Sequence, residues 1–304
     1  MRTEMKMPGA VPEFSSLEEA VECLFGRERK IVKWQSVSGG DINEAYALVL
    51  DDAQTVFMKK NSLSALPSFR AEVTGLCEIA RTQAIGTPAV LGLGKDPGGF
   101  SFLLLSMIIP GKRIPDFWEE FGHDLAKMHS YDLPGETLFG FRENNFIGER
   151  RQINTPHETW IGFFRDCRLE VQFRDAAGYF DAEDRRRMTY LLDHLDRYLT
   201  EPEKPRPVHG DLWAGNFMTG EDGRAWLIDP AVYYGHPEAD IAMTRLFGGF
   251  TSQFYRAYQE ILPAEPGLED RIEIYNLYQV LNHLNMFGGA YLPAARQVLK
   301  KYGK

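Results

Sequence analysis

Hydrophobic and polar residues follow two different periods along the chain, and the change falls near position 110. Before that point the apolar residues come in short runs separated by turn residues, a pattern typical of β-strands. The predicted strands are Ile31–Val37, Ala45–Leu50, Thr55–Lys59, Ala89–Leu93 and Ser101–Met107. Two amphipathic helices are predicted in the same part, one over Leu17–Phe25 and one that Pro67 opens. This part of the chain is therefore predicted to be a small, sheet-rich lobe.

Helical spacing of the apolar residues dominates beyond Pro110-Gly111. The predicted helices are Phe117–Met128, Trp160–Val171, Met188–Leu199 and most of Ile241–Tyr302. Two short predicted strands, Pro207–His209 and Ala225–Ile228, flank a polar loop. The chain is therefore predicted to be an α+β protein, with a small antiparallel sheet in a lobe over residues 1–108 and a larger, mostly helical lobe over residues 109–304.

The composition is that of a folded protein, since 44% of the 304 residues are hydrophobic and 25% are charged. The net charge of −9 argues against broad binding to nucleic acid or anionic membranes, both of which need basic surfaces. The three cysteines lie far apart and form no CxxC pair, so neither a disulfide framework nor a zinc site is predicted. No signal-peptide run opens the sequence, and the longest apolar stretch is about half the length of a membrane helix. We therefore expect a cytoplasmic protein without nucleic-acid or membrane partners.

The densest run of reactive side chains is His209–Asn216, and Asp229 follows it at the end of a predicted strand. Asp211, then Asn216 five positions on, then Asp229 is the order that kinase-type phosphoryl transfer uses. In that chemistry the first aspartate accepts the proton of the attacking hydroxyl. The amide oxygen and the second aspartate hold Mg²⁺, which prefers hard oxygen ligands. A single Asp or Asn more commonly caps a turn, but the ordered set beside two strands favours catalysis.

A cation for the ATP phosphates is predicted at Lys59, which ends a strand, and Glu72 lies on the following helix. A strand lysine and a helix glutamate form the pair that steers a kinase lysine onto the phosphates. Lys60 is the rival, but strand alternation places Lys59 on the same face as Phe57 and Lys60 on the other, which favours Lys59. Taken alone, a lysine at a strand end is more often a solvated surface residue.

Two further segments are candidates for nucleotide contacts. A turn between the first two strands contains Gly39 and Gly40, and its N–H groups could cover phosphates. The turn does not have the GxGxxG pattern, and a plain hairpin turn is the alternative. The last predicted strand of the first lobe leads into Ser106, Met107 and Ile108, where main-chain groups could pair with adenine.

With these residues assembled, the chain resembles the fructosamine kinase (ketosamine-3-kinase) family, in the aminoglycoside-phosphotransferase-like branch of the protein-kinase fold. The resemblance covers nearly all of residues 15–300. The segments that carry it are His209–Asn216, Ile228–Gly235, Glu238–Asp240, Ser38–Asn43, Val56–Lys59, Gln152–Asn154 and Leu281–Gly288. Trp213, together with Asp-Pro-Ala from Asp229, narrows the resemblance to ketosamine kinases. Pro230 stands where protein kinases have the Phe of DFG, which disfavours a protein kinase.

The resemblance implies a protein-kinase-like bilobal fold that uses ATP and Mg²⁺. It implies Asp211 as the catalytic base and Asn216 and Asp229 as magnesium ligands. The implied nucleotide contacts are Lys59 paired with Glu72, Gly39 and Gly40 over the phosphates, and a hinge at Ser106, Met107 and Ile108. The implied substrate contacts are Trp213 as a face for the sugar and, as weaker candidates, Asn154, Asn282 and Asn285. A core tryptophan that anchors the loop is the alternative for Trp213, and Asp240 is interpreted as a brace for that loop.

The expected reaction is the ATP-dependent phosphorylation of the C3 hydroxyl of a ketosamine (a fructosamine, ribulosamine or erythrulosamine), which leads to deglycation. The substrate is expected to be a small ketosamine or a glycated lysine. The alternatives are a kinase for an aminoglycoside or choline on the same fold, and a pseudokinase that binds nucleotide without transfer. The complete set of Lys59, Asp211, Asn216 and Asp229 speaks against a pseudokinase. Trp213 fits a single sugar better than an aminoglycoside.

Overall fold

The computed structural model describes residues 11–37 and 43–304, and the chain forms two compact units. Unit one comprises the described part of Met1–Phe117 together with Phe217–Pro230, and unit two comprises Trp118–Asn216 together with Ala231–Lys304. The division into lobes over residues 1–108 and 109–304 stays a prediction. Within the described ranges, no helix combines the length and the apolar character that crossing a membrane requires.

Strands concentrate in the first part of the chain and helices in the rest. The strands are β1 (Glu13–Phe14), β2 (Ile31–Ser36), β3 (Glu44–Leu50), β4 (Thr55–Ser62), β5 (Val90–Asp96), β6 (Phe100–Ser106), β7 (Asn145–Ile147), β8 (Arg150–Gln152), β9 (Arg206–Val208), β10 (Phe217–Thr219), β11 (Ala225–Leu227) and β12 (Tyr233–Gly235). The α-helices are α1 (Leu17–Phe25), α2 (Leu66–Arg81), α3 (Phe117–His129), α4 (Trp160–Phe164), α5 (Glu170–Asp175), α6 (Ala182–Asp193), α7 (Glu238–Leu246), α8 (Ser252–Ile261), α9 (Leu268–Phe287) and α10 (Leu292–Tyr302). The predicted α+β class is confirmed.

Unit one is built on a six-stranded sheet with the spatial order β1-β5-β6-β4-β3-β2. Neighbouring strands are antiparallel, except that β1 pairs with β5 in parallel. The five strands predicted from the sequence in this part of the chain are confirmed. Strand β1 is not predicted from the sequence, because two residues are too few to show an alternating pattern.

Each face of this sheet is covered by a helix. Ala20 of α1 packs on the face that presents Val56 and Met58 of β4. The buried side chains of α2 pack on the opposite face, where Leu103 and Leu105 of β6 point. Because successive residues of a strand point to opposite faces, Lys59 lies on the face that α2 covers.

The hairpin β10–β11 belongs to unit one and lies against the segment that follows β6. The backbone N–H of Gly111 donates to the carbonyl oxygen of Thr219 at 3.1 Å. A Cβ at Gly111 would lie 2.3 Å from the carbonyl oxygen of Gly220, so this close approach requires glycine. The hairpin ends at Leu227, and Asp229 follows it within the same unit.

Unit two is mostly helical, and α9 is its longest helix with 20 residues. Side chains are buried on several sides of α9, which packs against α5, α7 and α10. The short strand β9 pairs with β12, and the segment 209–216 follows β9 directly. The backbone N–H of Ala231 donates to the carbonyl oxygen of His209 at 2.9 Å, which holds the start of that segment beside β12.

Two predicted helices of unit two differ from the structure. The helix predicted over Met188–Leu199 begins earlier, because Asp181 forms a capping box with Asp184, and α6 ends at Asp193. The run Trp160–Val171 is helical throughout, but Arg165–Leu169 has π-helical hydrogen bonding between α4 and α5. Apolar periodicity cannot reveal that local change of pitch.

Candidate active site

Lys59 in unit one is buried, and its ammonium group contacts two carboxylates. Its Nζ donates to Glu72 Oε1 at 2.7 Å and also to Asp229 Oδ1. Lys59 is 8% exposed, whereas the side chain of Asp229 keeps 43% of its surface exposed. The sequence-predicted pair of Lys59 and Glu72 is therefore in direct contact, and part of the Asp229 carboxylate remains accessible.

Local structure explains the position of each of these side chains. Lys59 lies opposite Leu103 of β6 and points to the face that α2 covers. Glu72 lies on α2 next to the buried Val73, so it sits at the edge of the apolar face of that helix. Asp229 has a φ of 53°, a left-handed conformation that Asp adopts more readily than most other residues. The six-stranded sheet, α2 and the segment after β11 thus bring a cation and two anions together.

The pKa values of the pair reflect competition between burial and charge. Burial by itself would lower the pKa of Lys59, but the charges of Glu72 and Asp229 outweigh it and raise that pKa above its ordinary value. Burial raises the pKa of Glu72 against the opposing charge of Lys59. Lys59 therefore keeps its positive charge at neutral pH, as a lysine that binds phosphate must.

Lys60, the rival candidate, lies on the other face of β4. Its Nζ is 3.2 Å from Glu44 Oε2 and lies over the ring of Phe100. The side chain of Glu44 is 58% exposed, so this ion pair is at the surface. The structure thus places Lys59, and not Lys60, beside Glu72 and Asp229.

In unit two the segment 209–216 folds back on itself around Asp211, the predicted catalytic base. The Asn216 side-chain nitrogen donates to Asp211 O at 2.8 Å and to Asp211 Oδ2 at 2.9 Å. The backbone N–H of Asn216 donates to the carbonyl oxygen of Trp213 at 3.0 Å and closes the turn. The five-residue spacing between Asp211 and Asn216 therefore produces a contact that holds the carboxylate of Asp211.

The buried Asp240 anchors the backbone of this segment. Its Oδ2 accepts from His209 N at 2.6 Å and its Oδ1 accepts from Gly210 N at 2.9 Å. His129 Nε2 lies 3.1 Å from the same Oδ2. Burial would raise the pKa of Asp240, but the hydrogen bond and charge of His129 outweigh it and lower that pKa. An ionised carboxylate at the start of α7 thus fixes the two residues before Asp211.

Gly210 meets a strict steric requirement in the same segment. Its φ is 83°, and a Cβ at this position would lie 2.1 Å from the carbonyl oxygen of Ala231. Any other residue would therefore displace the backbone immediately before Asp211.

Trp213 lies in the same loop and is 36% exposed. A Cβ at Gly215 would lie 2.4 Å from the indole ring, so the ring packs directly on the backbone of its own loop. The Trp213 ring also meets Phe247 edge-on, with ring centroids 6.1 Å apart. This exposure argues against a core tryptophan, and the role of Trp213 as a sugar platform stays a prediction.

Comparison with known proteins decides the family. A sequence model described as fructosamine kinase matches residues 14–304. The chain belongs to the fructosamine kinase family. It is 38% identical over 292 residues to a Synechocystis protein assigned as a ketoamine kinase, covering 95% of this chain and 96% of the relative. It also matches a crystal structure assigned as a fructosamine-3-kinase from Haemophilus somnus 129PT, with a TM-score of 0.83, 29% identity and coverage of 94% and 96%.

The fold extends beyond the fructosamine kinase family. The ternary complex of an aminoglycoside phosphotransferase, APH(4)-Ia, with AMP-PNP and hygromycin B has a TM-score of 0.63 to this chain at 17% identity. The match covers 94% of this chain and 96% of the other. The predicted protein-kinase-like fold is therefore confirmed. As a member of the fructosamine kinase family, the protein is a phosphotransferase that acts on an alcohol group.

The predicted magnesium ligands of this family member have suitable donor atoms. Both hydrogen bonds to Asp211 come from the side-chain nitrogen of Asn216, so the amide oxygen of Asn216 remains as an acceptor. One oxygen of Asp229 contacts Lys59, and its carboxylate is partly exposed. An amide oxygen and a carboxylate oxygen are ligands that Mg²⁺ prefers. These residues fit the ion, and their assignment as ligands stays a prediction.

Three asparagines are predicted to contact the sugar. In this structure their side chains form hydrogen bonds with other protein groups. Asn154 is 1% exposed, and its Oδ1 accepts from a guanidinium nitrogen of Arg168 at 2.8 Å. Asn282 is 2% exposed and its Oδ1 accepts from Gln172 at 3.4 Å. Asn285 donates to Gln172 Oε1 at 2.7 Å. As contacts of sugar hydroxyls they stay predictions.

The other residues predicted to contact the nucleotide are the adenine hinge, Ser106 to Ile108, and the two glycines of the turn, Gly39 and Gly40. The hydroxyl of Ser106 accepts from the backbone N–H of Ala89 at 2.8 Å, Met107 is half-buried and Ile108 is buried. Their role as an adenine hinge stays a prediction. Gly39 and Gly40 lie outside the described residues.

Two further residues support the site and are not predicted from the sequence. His129 holds Asp240 from 111 positions away, and no local pattern around His129 indicates this contact. Arg168 is fully buried and donates to the carbonyl oxygen of Ile153 at 2.6 Å as well as to Asn154. Arg168 lies in the π-helical turn, which is visible only in the structure, so the sequence carries no signal for its role.

Proposed function

We propose that the protein transfers the γ-phosphoryl group of ATP to the C3 hydroxyl of a ketosamine. The observation that carries the proposal is the catalytic loop, where Asn216 holds Asp211 and the exposed Trp213 lies two residues on. Membership of the fructosamine kinase family supports it, as do the names of the two relatives, ketoamine kinase and fructosamine-3-kinase. The exposed indole would give the apolar face of one sugar ring a surface to pack on.

Asp211 is the proposed catalytic base. A carboxylate within hydrogen-bonding distance of the acceptor hydroxyl can take its proton as the O–P bond forms. The hydrogen bond from Asn216 orients that carboxylate, and Asp240 fixes the preceding backbone. Most of the rate enhancement is then expected from positioning the hydroxyl.

Lys59 is the proposed cation for the phosphates of ATP, with Glu72 as its partner. Asn216 and Asp229 are the proposed ligands of Mg²⁺, which when bound would neutralise charge on the phosphate oxygens. Because the pKa of Lys59 is raised, the lysine remains charged while it binds phosphate. ATP and Mg²⁺ are thus the proposed cofactors, and the cytoplasm is the proposed location.

The proposed product explains how phosphorylation would lead to deglycation. Loss of a proton from C1 of the 3-phosphate gives an enaminol, and its electrons then expel phosphate from C3. Water hydrolyses the resulting C1 imine, which releases the amine and leaves a 3-deoxy dicarbonyl. The protein itself performs only the phosphoryl transfer.

The test is ATP consumption with a panel of acceptors: a fructosamine, a ribulosamine, choline and kanamycin. We expect turnover of the ketosamines, and phosphorus–proton NMR of the product should place the phosphate on C3. Asp211→Asn is expected to lower kcat by about 10²–10⁴-fold. Asp196→Asn, an exposed aspartate of the same unit, is the matched control and should retain full activity. Turnover of kanamycin or choline without any ketosamine would refute the proposal and favour the alternative kinases.

A further inference from the structure

An exposed row of aromatic rings begins in the catalytic loop of unit two. We define the aromatic row as Trp213, Phe247, His283, Phe287 and Tyr291. The ring centroids are 6.1 Å apart from Trp213 to Phe247, 5.1 Å from Phe247 to His283 and 5.5 Å from His283 to Phe287. Tyr291 lies 5.1 Å from His283. The row therefore continues from the loop that contains Asp211 to the ends of α7 and α9 in a series of neighbouring rings.

Three members of the row are unusually exposed for aromatic side chains, whereas His283 and Tyr291 are half-buried. Trp213, Phe247 and Phe287 are 36%, 46% and 61% exposed. In the part of the chain that the structure describes, the large exposed aromatic side chains are Trp34, Tyr179, Trp213, Phe247 and Phe287. Three of these five thus lie in one row that starts in the same loop as the proposed base. Grouped exposed apolar surface of this kind marks a binding site more often than single exposed residues do.

The electrostatic surroundings of the row favour a cation. Phe247 is the C-cap of α7 and Phe287 is the last residue of α9, so the negative ends of two helix dipoles meet here. The last turn of α9 has no basic residue. Arg245, in the last turn of α7, is paired with Glu269 at 2.8 Å. Ring faces and helix C-termini both attract positive charge.

His283 adds a hydrogen-bond acceptor to the row rather than a charge. Burial lowers the pKa of His283 below its ordinary value, so the ring is neutral at pH 7. Its Nδ1 donates to the carbonyl oxygen of Gln279 at 2.8 Å, which leaves Nε2 as an acceptor. The row therefore combines apolar area, ring faces and an acceptor.

We propose that the part of the aromatic row beyond Trp213 is the subsite for the amine side of the substrate, where the protonated secondary nitrogen and its apolar substituent bind. This proposal rests on the proposed function. In a ketosamine the nitrogen is attached to C1, close to the C3 hydroxyl that Asp211 would deprotonate. A substituent on that nitrogen would therefore lie near the loop that contains Asp211 and Trp213, and the row begins in that loop. The predicted selectivity is for ketosamines of amines with aromatic or long apolar groups.

Three fructose derivatives test the proposal: 1-benzylamino-1-deoxyfructose, 1-methylamino-1-deoxyfructose and the uncharged ether 1-O-benzylfructose. In the parent enzyme we expect the benzylamino sugar to have a KM about tenfold below that of the other two. Phe247→Ala and Phe287→Ala should each reduce this preference about fivefold through KM, with kcat for the benzylamino sugar within about twofold. One ring contact with a cation or another ring typically contributes about 1 kcal/mol, which corresponds to about fivefold.

Matched variants separate the possible causes. Phe287→Leu keeps apolar area but removes the ring. The KM of this variant for the benzylamino sugar should therefore no longer be well below its KM for 1-O-benzylfructose. Leu138→Ala removes an exposed apolar side chain, 38% exposed, elsewhere in unit two and should preserve the parent preferences. Equal KM values for amine and ether in the parent, or unchanged preferences in both Phe→Ala variants, would overturn the proposal. A dimer that Phe287→Ala dissociates would assign the row to a second copy and also overturn it. If no ketosamine is phosphorylated at all, the proposed function itself is wrong.

Discussion

The ammonium of Lys59 in unit one and the carboxylate of Asp211 in unit two are both held by neighbouring side chains, but in different ways. Lys59 is compensated by two opposite charges, Glu72 and Asp229. Asp211 is oriented by the neutral amide of Asn216, and the backbone before it is anchored by Asp240. Removal of a partner in unit one leaves a buried charge uncompensated. Removal of a partner in unit two instead frees the carboxylate of Asp211, or the backbone before it, to change position. The two regions therefore predict different consequences of mutation.

The largest effect is expected at Lys59. Lys59→Met should reduce kcat/KM for ATP by about 10²-fold or more, because the phosphates lose their cation. It should also destabilise the protein by about 3 kcal/mol, because Glu72 is left buried without its partner. The double variant Lys59→Met/Glu72→Gln should recover most of the stability and none of the activity. Kinetics at varied ATP and urea unfolding measure the two effects.

Lys60→Met is the matched control for that prediction. The ion pair of Lys60 and Glu44 is at the surface, so its loss should change stability by less than about 1 kcal/mol and leave turnover intact. If Lys60→Met lost activity while Lys59→Met kept it, the assignment of the phosphate-binding lysine would be reversed.

The next effect is expected at the anchor of the catalytic loop. Asp240→Asn retains one side-chain acceptor but places an NH₂ group against a second buried donor, at a cost of about 1–3 kcal/mol. We expect kcat to fall at least about tenfold, with KM for ATP within about twofold, since Asp240 supports Asp211 and not the lysine pair. Asp132→Asn, in an exposed ion pair with Arg206, is the control and should change neither. A rise in the KM for ATP without a loss of kcat would contradict the role given to Asp240.

The contrast between the regions also explains what the sequence could predict. Lys59 and Glu72 follow from strand alternation and helix position, and Asp211 with Asn216 follows from a five-residue spacing, all of which are local patterns. The contact of His129 with Asp240 spans 111 positions and depends on how helices of unit two pack. The burial of Asn154 against Arg168 depends on a π-helical turn. Such contacts are set by tertiary packing, and no local sequence pattern predicts them.

A pH-dependent effect on stability is expected at His236, which precedes α7 and thus the anchor Asp240. Its Nδ1 accepts from the backbone N–H of Glu238 at 3.1 Å. Burial, aided by the charges of Arg271 and His129 and opposed by Glu265, lowers the pKa of His236 to about 4. The folded protein thus holds His236 neutral, while the unfolded chain binds a proton near its ordinary pKa of 6.5.

The direction of the change in stability with pH follows from proton linkage. Between pH 6.5 and 4 the unfolded chain binds more protons than the folded one, so this stabilisation is complete above pH 6.5 and is lost as the pH falls toward 4. The loss amounts to at most about 3.5 kcal/mol, since one pKa unit corresponds to about 1.4 kcal/mol. His236→Asn retains an acceptor for Glu238 without the titration, so urea unfolding across this range should show a flatter pH dependence. His194→Asn, at a half-buried histidine stacked on Tyr190, should keep the parent slope. Equal slopes for His236→Asn and the parent would show that other groups govern the acid sensitivity of unit two.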